Sequence, residues 1–206
     1  MGLALHHWVK LAVASLLILL LSGCSGPKLT PLAPNSVILA FGDSLTFGKG
    51  AADGQDYPSQ LALLTGRKVI NAGISGETTA EGLARFESVL NQSAPELIIL
   101  LEGGNDILRN HDLAATENNL QSMITIAQNR AIDVVLVAVP SKQLFLSPAS
   151  FYRQLADINN LVLLEDTLSD LLKNPAMKSD TVHLNAAGYR VLAEQVYQQL
   201  QLAGAL

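Results

Sequence analysis

Cys24 is the only cysteine in this 206-residue chain, so no internal disulfide can form and stability must come from packing. Charge is also scarce: Asp, Glu, Lys and Arg make up 15% of the residues and the formal net charge is −5. No run of Lys or Arg is long enough to follow a phosphate backbone, and a nucleic-acid partner is not expected. Clusters of His, Cys and carboxylates at metal-ligand spacing are missing, and so are a Gly-x-Gly-x-x-Gly fingerprint and a P-loop. Neither a metal nor another cofactor is therefore expected. The Gly-x-Ser-x-Gly elbow of the α/β-hydrolases is absent as well. What the chain has in quantity is apolar side chains, 49% of the total, enough for one domain with a substantial core.

The first 23 residues read as a signal peptide. His6, His7 and Lys10 precede an apolar stretch from Leu11 to Leu21 interrupted only by Ser15. A spanning helix needs roughly 20 apolar residues, so this stretch has the proportions of an h-region. It ends in Leu21-Ser22-Gly23-Cys24, which resembles the bacterial lipobox, whose cysteine is lipid-modified. The resemblance implies a protein lipid-anchored through Cys24 in the bacterial cell envelope, on the periplasmic side. Ser25 leans the assignment toward the outer membrane. Residues 24–36 carry Pro27, Pro31 and Pro34 without an apolar period, and read as an extended tether. One domain is expected over 37–206.

Within that domain short apolar runs alternate with helical patterns. Strands are predicted at Val37–Phe41, Lys68–Ala72, Leu97–Glu102, Val134–Val139 and Asn160–Leu164. Leu97 to Leu101 and Val134 to Val137 are apolar at every position, as strands of a parallel sheet are when helices cover both faces. Thr78-x-x-Glu81 reads as a capping box opening a helix with Leu83, Phe86 and Leu90 on one face. Leu120, Met123, Ile124 and Ala127 repeat that spacing, as do Tyr189, Leu192, Ala193, Val196, Tyr197 and Leu200. The alternation predicts an α/β domain with a doubly wound sheet, whose ligands gather at the carboxyl ends of the strands.

The polar motifs fall at those ends. The first strand runs into Gly42-Asp43-Ser44, which sets a serine on a strand-to-helix turn. The second runs into Asn71-Ala72-Gly73-Ile74-Ser75-Gly76-Glu77-Thr78, where glycine lets backbone N–H groups come close to a ligand. The third runs into Glu102-Gly103-Gly104-Asn105-Asp106, which can point an amide donor into the cleft. Before the last helix stands Ser179-Asp180-Thr181-Val182-His183, with a carboxylate three residues ahead of an imidazole. Serine is a poor nucleophile until a base takes its proton, and histidine titrates in the right range. His111 lies in a polar segment, which leaves His183 as the strong base candidate.

In order and spelling, these four blocks resemble the SGNH hydrolase superfamily, also called GDSL esterases or lipases. The likeness is nearest to the bacterial branch of thioesterases, lysophospholipases and arylesterases, and it runs from about Val37 to Leu202. It implies a three-layer α/β/α domain with a flavodoxin-like five-stranded parallel sheet. It also implies Ser44 as nucleophile, His183 as general base and then acid, and Asp180 as the group holding its tautomer. The backbone N–H groups of Ser44 and Gly73 and the side chain of Asn105 would form the oxyanion hole. Thr181 and Leu184 replace the Gly and Pro usual in the last block, which implies an altered loop shape. Asp43 and Asp106 match the family too and are assigned to turn and loop hydrogen bonding.

The resemblance implies an esterase or thioesterase of the arylesterase or lysophospholipase kind, acting on a small-molecule or lipid ester. An acetyl-carbohydrate or peptidoglycan O-acetylesterase is the alternative within that chemistry. A non-catalytic binding lipoprotein is the alternative outside it. In relatives the loop after the fourth strand helps line the acyl site, so Val139, Pro140, Leu144, Phe145 and Leu146 are candidate substrate contacts. A monomer is expected.

Overall fold

The computed structural model describes residues 26–142 and 146–206. Cys24 and the apolar segment before it lie outside the described residues, as do Leu144 and Phe145. Among the described residues no helix is long and apolar enough to cross a membrane.

Five parallel strands form one sheet in the order β2-β1-β3-β4-β5: β1 Val37–Gly42, β2 Lys68–Gly73, β3 Leu97–Leu101, β4 Asp133–Val137 and β5 Val162–Leu164. This is the predicted doubly wound, flavodoxin-like arrangement. Three strands end or begin short of the predicted runs, and β4 reaches Val137 rather than Val139. β3 stops at Leu101, because Gly103 takes a left-handed conformation (φ 111°) that ends extended pairing. β5 begins only at Val162, because Asn160 closes the preceding helix in the left-handed region.

Helices cover both faces, and β3 is buried along its whole length. The helix α1 (Ser44–Phe47) is a single turn leaving β1, and α2 (Tyr57–Thr65) follows it. Then come α3 (Thr79–Ser93), α4 (Gly104–Leu108), α5 (Leu113–Gln128), α6 (Ser150–Asn159), α7 (Thr167–Lys173) and α8 (Ala186–Leu202). Right-handed crossovers put α3, α5 and α6 on one face, while α2 and α8 pack together on the other. The predicted stripes are core: Leu120, Met123, Ile124 and Ala127 of α5 and Tyr189, Leu192, Ala193, Val196 and Leu200 of α8 are fully buried. The capping box at the head of α3 is formed in both directions between Thr78 and Glu81.

Residues 26–36 depart from a free tether. Leu29 and Leu32 are buried, and their amides donate to Ala203 O (3.0 Å) and Ala205 O (2.8 Å). Thr30 N donates to Asp133 Oδ2 at 2.6 Å, and the Arg67 guanidinium binds the Leu32 and Ala33 carbonyls at 2.7 and 3.1 Å. The prolines keep this stretch extended, but its two leucines give it a face to bury. It thus belongs to the domain, and it crosses the sheet edge where the strands begin. We expect Leu32→Ala to lower unfolding free energy by about 2–3 kcal/mol in urea titrations. A loss below about 0.5 kcal/mol, within the range of ordinary surface changes, would mean the segment is only loosely attached.

Glu102, just after β3, is fully buried, and neither carboxyl oxygen has a hydrogen-bond partner among the described residues. Burial raises its pKa well above 4.5, and Asp43, Glu77 and Asp106 add to the rise against the opposing Gly103 amide. The native state holds this proton after the unfolded chain has released it, so stability falls as pH rises above about 4.5. Glu102→Gln removes that titration. Its melting temperature should gain on the wild type as pH rises above about 5, and parallel profiles would contradict the assignment.

Candidate active site

Because β1 and its neighbours are paired in register, Gly42, Gly73 and Leu101 end side by side, and the polar motifs emerge from one edge. Ser44 opens α1 directly after β1. Asp43 caps that turn by accepting from Leu45 N at 2.9 Å, and Gly48 closes it in the left-handed region. The serine side chain is thereby held on a rigid one-turn helix, only 8% exposed.

His183 reaches Ser44 from the loop before α8. Its Nε2 lies 3.0 Å from Ser44 Oγ, and its Nδ1 lies 2.7 Å from Asp180 Oδ2. An ionised carboxylate only accepts, so Nδ1 carries the proton and Nε2 offers its lone pair to the hydroxyl. Asp180 is itself fixed, since its Oδ1 accepts from Val182 N (2.9 Å) and His183 N (2.8 Å). Desolvation pushes its pKa up, but the His183 ring and these two amides pull harder and bring it down to about 2. The carboxylate stays ionised throughout the neutral range. The loop is stapled at its base, where Ser179 N donates to His183 O and Asn185 N to Met177 O, each at 3.0 Å. Leu184, at the place of the usual proline, is fully buried and secures the loop in the core instead.

Of the three expected oxyanion donors, the structure brings two to Ser44. Asn105 lines the same cleft as Ser44, on the first turn of α4. Its Nδ2 donates to Glu77 O at 2.8 Å and stands 3.4 Å from Asp43 Oδ2, which leaves its second hydrogen weakly engaged. Asp106 ties α4 to α3 by accepting from the Thr79 amide (2.9 Å) and hydroxyl (2.8 Å). The Ser44 amide itself has no protein acceptor among the described residues.

Gly73 does not fit the expectation. Its N–H is taken by Asn71 Oδ1 at 2.9 Å, and it faces a separate depression beneath α1. A Cβ there would sit 2.1 Å from Phe47 N, so this glycine allows the close packing of α1 on β2. Gly104 and Gly76 both line the cleft, and the one supplied by the segment after β2 is Gly76. It occupies the third position of a turn closed by Glu77 N to Ile74 O, with φ 86°. Its amide has no protein acceptor among the described residues. Sequence reasoning stopped at the strand's last glycine, whereas the donor-bearing turn begins one residue later.

Asp43 is buried, and burial is the main cause lifting its pKa to about 7, with Glu77 and Asp106 adding to it against the Leu45 amide. Glu77 nearby is paired with Arg85, whose guanidinium also caps the Ala72 carbonyl and lies over the Phe41 ring. These groups form the support behind the nucleophile.

In front of Ser44 lies a cleft of about 370 Å³. Val139, Pro140 and Leu146 line it, as expected, and so do Ile107, Leu108 and Leu172, which the sequence did not single out. Their signal was present only as ordinary apolar positions of the short helices α4 and α7. Among the described residues no group of three or more His, Cys, Asp and Glu side chains is arranged to hold a metal ion.

This construction is similar to that of known enzymes. Residues 40–191 match the GDSL-like Lipase/Acylhydrolase family. An arylesterase of Vibrio mimicus is 32% identical over 174 residues, spanning 79% of this chain and 87% of that protein. The thioesterase 1/protease 1/lysophospholipase L1 of Escherichia coli K12 is 28% identical over 177 residues, spanning 82% and 85%. Among solved structures, AlinE4, an SGNH-hydrolase family esterase, is 33% identical with a TM-score of 0.63, covering 84% of this chain and 98% of that one. With its match extending over most of the described domain, the chain belongs to the GDSL-like lipase/acylhydrolase family.

Proposed function

We propose that this protein is a lipid-anchored serine esterase of the cell envelope that cleaves acyl or aryl esters and thioesters at Ser44. The observation that carries the reading is the unbroken Asp180–His183–Ser44 contact opening onto an apolar cleft. Family membership, with relatives named arylesterase and thioesterase/lysophospholipase, supports ester hydrolysis.

His183 Nε2 takes the Ser44 proton as Oγ attacks the substrate carbonyl. The resulting oxyanion accepts hydrogen bonds from the Ser44 amide, the Gly76 amide and Asn105 Nδ2, with Gly76 taking the place first expected of Gly73. Imidazolium formed on His183 is stabilised by the ionised Asp180, and its Nε2–H then protonates the departing alcohol or thiol. Water, deprotonated by the same nitrogen, attacks the acyl-serine and releases the acid. The lining by Val139, Pro140, Ile107, Leu108 and Leu146 favours an acyl or aryl group over an acetylated sugar.

Ser44→Ala should abolish hydrolysis of p-nitrophenyl butyrate with the melting temperature preserved. Asn105→Ala should lower kcat on the order of a hundredfold, as removal of one oxyanion donor does. Full activity in Ser44→Ala would overturn the mechanism.

The anchor is proposed at Cys24. Gly26 lies beside Asn160, Leu161 and Ala203, at the sheet edge opposite the cleft. Two residues span at most about 7 Å, so a lipid on Cys24 would hold the cleft away from its own membrane. Substrate would then arrive from the aqueous side. Cys24→Ala should move the protein from the membrane to the soluble fraction with activity on water-soluble esters retained. An unchanged membrane fraction would contradict lipid anchoring at this residue.

A further inference from the structure

The cleft is apolar along its walls but cationic at its rim. Lys49 and Lys142 line it from opposite sides, and Asp43 is the one carboxylate among its lining residues. Asp43 is buried and holds its proton far more tightly than an ordinary aspartate. Among the described residues neither lysine forms an ion pair. A chain of net charge −5 thus places two unpaired ammonium groups at the mouth of its own reaction centre, where the ionised carboxylate is Asp180, engaged by His183 and two amides.

Both ammonium groups are presented from fixed supports. The Lys49 backbone is pinned at both ends, with its N–H donating to Ser44 O (3.0 Å) and its carbonyl accepting from Tyr189 Oη (2.7 Å). The next residue, Gly50, is packed against Ser179 and the Leu184 carbonyl, so Lys49 stands beside the loop that carries His183. That is the side on which the leaving group receives its proton. Across the cleft, Lys142 Nζ donates to Leu108 O (3.3 Å) and Asn110 Oδ1 (3.2 Å). Both acceptors are neutral, so they hold the ammonium at the rim without cancelling its charge.

We propose that Lys49 and Lys142 are specificity-determining residues that select esters whose leaving group carries a negative charge, such as a phosphate, sulfonate or carboxylate. The inference rests on the esterase reading above and refines its substrate class. The apolar walls take the acyl chain, both lysines attract the anionic head during encounter, and Lys49, on the His183 side, holds it there while Lys142 acts from across the cleft.

The test compares two butyrate esters with leaving groups of similar size, para-sulfophenyl butyrate and the uncharged para-(methylsulfonyl)phenyl butyrate. The readout is the ratio of their kcat/KM values in the wild type, the Lys49→Ala/Lys142→Ala double variant and the Lys49→Arg/Lys142→Arg double variant. Replacement by alanine should lower the ratio about three- to tenfold, the scale of two partly exposed charge contacts. The arginine variant should keep it, and added salt should lower the wild-type ratio toward that of the alanine variant. A ratio indifferent to both lysines, while both esters are cleaved, overturns the anionic rim and leaves the esterase standing. Absence of cleavage of either ester by the wild type overturns the esterase reading itself.

Discussion

The site depends on a close approach that only glycine permits. Gly42 ends β1 where the chain must turn immediately into α1, and a Cβ there would sit 1.9 Å from the Leu101 carbonyl oxygen and 2.5 Å from Thr46 Oγ1. The absent side chain lets the first helical turn rest directly on β3. Gly73 does the same from the other side, where α1 lies against β2. Ser44 is thus clamped between two neighbouring strands before any catalytic contact is made. The remaining groups come to it because the parallel register ends those strands together.

That clamp has an electrostatic counterpart. Asp43, Glu77, Glu102 and Asp106 are all buried behind the nucleophile, and Arg85 is the guanidinium paired with one of them. Such a cluster is tolerable only because its members are treated differently. Glu77 is paired with Arg85, and Asp106 is satisfied by the Thr79 amide and hydroxyl, while burial raises the pKa of Asp43 to about 7 and that of Glu102 well above the ordinary carboxylate range. Asp180 contrasts with these, since it is half exposed, bound by two amides and an imidazole, and ionised. Acid groups that hold structure are buried and those that drive chemistry stay charged, on one edge of one sheet.

The sheet and its core stripes were legible in the sequence because apolar period reports burial directly. The chemical residues were legible too, since Ser44, Asn105, Asp180 and His183 each sit in short motifs next to a strand end or the last helix. Legibility failed where geometry depends on φ or on partners distant in the chain. Gly73 and Gly76 look alike in sequence, but strand pairing and Asn71 occupy the first, whereas a positive φ turns the second into the cleft. The proline-rich segment before Val37 reads as tether, and its docking rests on Arg67 and Asp133, which no local pattern could have supplied. The cleft rim was invisible for the same reason: Lys49 and Lys142 meet across it from positions 49 and 142.

Everything in the site converges on an activated Ser44 hydroxyl, which peptide mass mapping after reaction with a fluorophosphonate reads out at the residue itself. A single covalent adduct is expected on the peptide containing Ser44, formed much more slowly in Asp180→Asn because the imidazole then loses its ionised partner. No adduct on the folded wild-type protein, or an adduct on a serine other than Ser44, would contradict it.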